Sequence, residues 1–161
     1  MTDLLSILQA FHRNKLEMML RHQAGARLVG QYDANNAYQY IINREEVQLS
    51  WLTVAIAGLG ASAGDAAESP RTVAGTGAGA ARTVFQEDSR DALAFVERWT
   101  PIVETMANAR HRGMLRVILG ETLEEKRFFD QALAGREDLL GRRGGQLGPS
   151  HGEVLPTRWI E

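Results

Sequence analysis

The sequence predicts an all-α fold, a four-helix bundle whose second and third helices are joined by one long crossover. Three observations predict it. Apolar residues recur at three- and four-residue spacing in four separate segments. A stretch of 24 residues, 61–84, contains twelve Gly or Ala, with Pro70 among them and few large apolar groups, so it reads as a connection without a core face. No convincing strand and no βαβ pattern surrounds it. The 161 residues fit one domain, expected over 1–140, and 44% hydrophobic content supplies a core.

The first helix is expected over about 4–29. Leu4, Leu8, Phe11, Met18, Met19 and Leu28 recur roughly at helical spacing, with basic residues between them and no proline. The run Gly30-Gln31-Tyr32-Asp33 breaks it, and Asp33 or Asn35 is suited to cap the next helix. The second helix, about 34–59, carries the stripe Tyr38, Ile41, Ile42, Glu45, Gln48, Leu49, Leu52 and Ile56, ended by Gly58 and Gly60. The third is expected over about 88–111: Ser89 is a plausible N-cap, Glu87, Asp88 and Asp91 suit a first turn, and Pro101 kinks the helix without ending it. Its stripe is Leu93, Val96, Ile102, Val103 and Met106. His111-Arg112-Gly113 is the expected break, and the fourth helix runs from about 114 to 134 until Gly135. Residues 141–161, rich in Gly and with Pro149 and Pro156, read as an irregular tail.

Helices of this length are about 32–39 Å long at ~1.5 Å per residue. The 61–84 connection is long enough to return to the opposite end of the bundle, which lets the third helix run parallel to the second.

Composition excludes several functions. Lys and Arg number 18 against 20 acids, a net charge of −2 that gives no electrostatic reason to bind nucleic acid. Zero cysteines exclude disulfides, thiol catalysis and cysteine-ligated metal sites, and a cytoplasmic location is the default expectation. The apolar stretch Trp51–Ala63 is too short to span a membrane, and no basic region precedes an apolar run as in a signal peptide. Gly75-Thr76-Gly77-Ala78-Gly79-Ala80 matches a relaxed dinucleotide fingerprint but follows no strand, so no nucleotide is expected. His12, His22, His111 and His151 lack metal-ligand spacing and read as surface or interhelical groups. Trp51 and Trp99 read as core or interface packing.

Two short stretches carry a resemblance. Asn43-Arg44-Glu45-Glu46-Val47-Gln48-Leu49-Ser50-Trp51-Leu52 resembles the acid-rich second helix of the ferritin-like superfamily, which includes ferritins, bacterioferritins and rubrerythrins. Glu121-Thr122-Leu123-Glu124-Glu125-Lys126-Arg127-Phe128 resembles the family's fourth helix. The resemblance spans roughly residues 4–135 and implies a carboxylate-rich metal centre in the bundle core, holding iron or manganese, in a protein of the oxidase, peroxidase or iron-handling kind. The residues it implies are Glu17, Glu45 with Gln48, Glu104, and Glu121 with Glu124; Glu125 is the alternative on the fourth helix and Glu97 on the third. Glu45 and Glu121 would bridge, with Glu17 and Glu104 terminal. Gln48 and Glu124 stand where the family places histidines, so the chain departs from the pattern at both.

Geometry allows the four acids one layer. Glu17 and Glu45 are equidistant from residue 31, and Glu104 and Glu121 from the 112/113 bond, at heights of ~21 and ~13 Å from turns at opposite ends. Against ligation stands the solvated-face reading, strongest for Glu17 with Arg13 and Arg21 four residues away on either side. It is weakest for Glu45, which lies in an apolar stripe, where a buried carboxylate needs a metal, a cation or a proton. The competing function is a non-catalytic bundle without a metal site, acting as a homodimer or through partner association. His111-Arg112-Gly113 also resembles a stretch of the DinB-like bundles, whose metal site uses three histidines; no companion histidine lies at close spacing.

Overall fold

The computed structural model describes residues 3–68 and 70–140. Among them are four helices and no strand: α1 Leu4–Ala26, α2 Tyr32–Ala57, α3 Gly77–Glu104 and α4 Ala109–Leu133. The expected irregular tail, 141–161, lies outside the described residues.

The stripe on α2 is buried at every position from Tyr38 to Ile56 that the spacing marks. It meets Leu8 and Phe11 of α1, Val84 and Val103 of α3, and Leu115, Ile118 and Phe129 of α4 in one core. Aromatic rings fill the α1–α3 seam, with Phe11 4.9 Å from Trp99 and 5.1 Å from Phe95, both edge-on. Leu93, expected in the stripe of the third helix, faces outward instead, as do Val117 and Leu123 of α4, and Ala92, Phe95 and Trp99 occupy the inner face of α3.

Side-chain contacts fix the topology. Phe11 meets Phe95 and Trp99 while Arg21 meets Glu87, so α1 and α3 are antiparallel. Tyr38 meets Phe129 while Arg44 meets Glu121, so α2 and α4 are antiparallel too. Since α1–α2 and α3–α4 are hairpins, α3 runs parallel to α2. The crossover, residues 58–76, makes this possible, spanning up to about 60 Å at ~3.3 Å per residue. Its course is marked by Gln9 bonded to Ser62 O near the start of α1, then Arg27 paired with Glu68 near its end.

Element boundaries shift in two places. Helix α3 begins at Gly77, not 88, because the small residues Ala80 and Ala81 continue the buried inner face of Val84 and Phe85 toward the N-terminus. Alanine is the best helix former, so a Gly/Ala run supports a helix once a neighbour covers it. Ser89 and Asp88 are therefore buried mid-helix, not at a cap, and Ser89 Oγ donates to Asp130. The second break lies at residues 105–108, not at His111-Arg112-Gly113. Asn108 caps α4 by accepting from His111 N at 3.0 Å, which makes 111–113 part of the first turns of α4. Pro101 sits inside α3, as expected. At the first turn Gln31 is the cap, accepting from Ala34 N, while Asn35 donates back to Ala26 O at the end of α1.

Candidate functional site

The residues that gather in the core are Lys15, His22, Glu45, Thr122 and Glu125. Lys15 falls four residues after Phe11 and three before Met18, and His22 three after Met19, so the α1 stripe carries both inward. Lys15, His22 and Glu45 are at most 1% exposed and Glu125 is 3% exposed.

Lys15 Nζ lies 3.0 Å from Glu45 Oε1 and 3.3 Å from Glu125 Oε2, donates to Thr122 Oγ1 at 3.2 Å, and sits 5.7 Å from the Phe95 ring centre. The other oxygen of Glu45 meets His22 Nδ1 at 2.9 Å. One ammonium thus joins carboxylates of α2 and α4, and Glu45 joins two cationic side chains of α1.

The charges are strongly coupled. Burial alone disfavours the His22 cation, but Glu45 and Asp88 outweigh it and raise His22 to about 8. Burial works against Lys15 as well, and Glu125 and Glu45 together hold it above its ordinary value. Glu45 is held below the usual carboxylate range despite its burial, by His22 and Lys15. Glu125 is pushed up to about 7, chiefly by burial, because Lys15 only partly offsets the loss of water.

A second buried network adjoins the first. The His22 ring meets Tyr38 edge-on at 6.1 Å, and Tyr38 OH donates to Asp88 Oδ2 at 2.5 Å. Asp88 pairs at 2.9 Å with Arg71 of the crossover, whose side chain is 3% exposed. Arg71 also donates to Arg21 O and Val84 O and pairs with Glu87, so one guanidinium ties the crossover to α1 and α3.

Only part of the expected site is brought together. Glu45 is central and Gln48 is fully buried beside it. Glu125, the alternative on α4, faces in, whereas Glu124 is exposed and paired with Arg127. Thr122 and Glu125 are the inward pair of α4; Glu121, one residue earlier, is half-buried and held by Arg44 and by the Gln48 carboxamide. Glu17 is exposed because it stands about 200° around α1 from Lys15. Glu97 is exposed on α3. Glu104 ends α3 and pairs with Arg116 on the surface, where that arginine holds its carboxyl below the usual range. The one-layer arrangement of four acids required a turn at 112/113. With the turn centred on residues 106 and 107, the residue level with Glu121 is Ala92, which has no ligand atom.

Lys15, His22, Asp88, Tyr38 and Arg71 lay outside the expected set. The available signal was Lys15 and His22 falling on the spacing of Leu8, Phe11, Met18 and Met19. His12 is also buried and its ring is pushed below its ordinary value by burial, while His111 lies at the start of α4. The metal-sized group among the described residues is His22, Glu45 and Glu125, with a single histidine. No described helix is long and apolar enough to cross a membrane.

The gathered residues do not fit the two-metal set that the resemblance implies. Three ligands converge, not six, Glu121 is committed to Arg44, and the space between Glu45 and Glu125 holds an ammonium. Compared with known protein families, curated proteins and solved structures, the chain matches none.

Proposed function

We propose that this chain is a non-catalytic bundle of ferritin-like layout in which Lys15 supplies the positive charge that a metal supplies in such proteins, and that it works through association, as a homodimer or with a partner. The observation that carries the reading is the Lys15 ammonium, fully buried and within 3.3 Å of both core carboxylates. A buried carboxylate is costly unless paired, and here the chain provides the pair itself.

Association is the role left to the outer faces. Val54 is 71% exposed, and beside it a groove of about 590 Å³ is lined by Trp51, Leu59, His111 and Met114 where the end of α2 meets the start of α4.

Two measurements on the full chain test the reading. Protein expressed with iron and manganese in the medium is expected to carry well under one metal per chain, unchanged by a Glu45→Ala, Glu125→Ala double substitution. Sedimentation is expected to show a dimer or larger species that Val54→Lys weakens. One metal per chain, lost in the double variant, overturns the reading and favours the competing one, a single-ion metalloprotein of the oxidase, peroxidase or iron-handling kind. That alternative draws on the convergence of His22, Glu45 and Glu125.

A further inference from the structure

Resting on the reading of Lys15 as the core's own cation, we infer that its ammonium plugs a single-ion site for a divalent transition metal built from His22, Glu45 and Glu125. The three side chains come from α1, α2 and α4, and one ligand atom of each lies within 4.8 Å of the other two. Donors around a zinc ion at about 2.0–2.2 Å stand roughly 3.4 Å apart, so the group closes on an ion by side-chain shifts of about an ångström. His22 Nδ1 and Glu45 Oε2 are already 2.9 Å apart. An imidazole with two carboxylates suits zinc, manganese or ferrous iron, and the carboxylates neutralise a divalent charge.

Lys15 Nζ stands between the same two carboxylates, held from outside the trio by Thr122 Oγ1 at 3.2 Å and Met18 Sδ at 3.7 Å. An ammonium and a metal ion cannot share that space, because each needs the same oxygens and they repel at contact distance. One turn along α2 from Glu45, Gln48 Oε1 is a buried acceptor with no hydrogen-bond partner, a further oxygen donor at the edge of the group. Shortening residue 15 removes the competing charge, opens the volume of the lysine stem and leaves two carboxylates in want of a cation.

The test compares wild type with Lys15→Ala and Lys15→Asn, each stripped of metal and titrated with zinc and with manganese. Calorimetry, thermal unfolding and helical circular dichroism are the readouts. Each variant is expected to take up one ion per chain at least 100-fold more tightly than wild type. The unfolding temperature should rise with metal concentration. If a variant is unfolded without metal, recovery of helical signal on adding the ion is the expected result. The gain should vanish when Glu45→Gln and Glu125→Gln are added. Absence of any metal-dependent gain in both variants, folded or not, overturns the inference, as does a gain that survives loss of the two carboxylates. Stoichiometric metal in wild type instead overturns the reading under Proposed function, whereas a metal-free wild type with inert variants overturns this inference alone.

Discussion

Removing one member of the buried ion pair leaves the other charged and out of water. Glu45→Leu strips Lys15 and His22 of the carboxylate they share and is expected to cost about 3–5 kcal/mol in urea denaturation. Had Glu45 been unpaired, the same substitution would stabilise. The sign of this change therefore reads out whether Lys15 is its partner. The shifted groups also set the pH dependence. His22 is raised from 6.5 to about 8 and Glu125 from 4.5 to about 7, so both bind protons more tightly in the folded state. The stability from His22, about 2 kcal/mol, is full below pH 6.5 and lost as pH rises through 8. That from Glu125 is full below pH 4.5 and lost through 7. Glu45, depressed, acts oppositely and loses its contribution as pH falls below the usual carboxylate range. Urea midpoints should therefore be highest near pH 4.5 to 5, where the Glu45 contribution is gained and that of Glu125 begins to fall, and decline toward pH 9, with the decline above pH 7 flattened in His22→Gln.

The crossover is the element whose anchoring can be tested most directly. A Cβ at Gly25 falls 2.5 Å from Arg71 Nη1 and 3.0 Å from Val84 Cγ1. The guanidinium is the mobile end of its side chain, but to move it must give up its bonds to Arg21 O and Asp88. Gly25→Ala is therefore expected to lower stability by about 1–3 kcal/mol in thermal unfolding. It should also expose Arg71 to trypsin, which is expected to spare that bond in native wild type. How far the elements were legible follows from side-chain size. All eight stripe positions on α2 could be read because each carries a large or polar group at helical spacing. The first turns of α3 could not, since Gly and Ala mark no face and their helical state depends on the helices that cover them. One residue of register on α4 then decided the site: the face that buries Leu115, Ile118, Leu119 and Phe129 also carries Thr122 and Glu125 inward, while Glu121 and Glu124 stand beside it.

For the whole molecule, the parallel run of α2 and α3 was readable from the length of the connection alone, because an up-and-down bundle needs no such span. The centre of the molecule was not, since no motif announces a lysine that serves as a counter-ion. What distinguishes it is spacing on an apolar stripe, which core methionines share. A buried ion pair returns little beyond the cost of taking its charges out of water, so the apolar surround is expected to hold the four helices together. Replacing Lys15 by Met and His22, Glu45 and Glu125 by Leu in one chain is expected to give a helical protein at least as stable as wild type at pH 7. Its urea midpoint should be nearly level from pH 5 to 9. Loss of cooperative unfolding in that variant would show that the polar centre, not the apolar surround, specifies the packing.

A cation joined to the chain by its own backbone arrives with synthesis and in fixed proportion. On the reading proposed above, a bundle built around Lys15 would need no loading step, no carrier to deliver an ion and no guard against the wrong one. Chelators are expected to leave its melting curve untouched, and starvation for iron or manganese to leave its abundance unchanged.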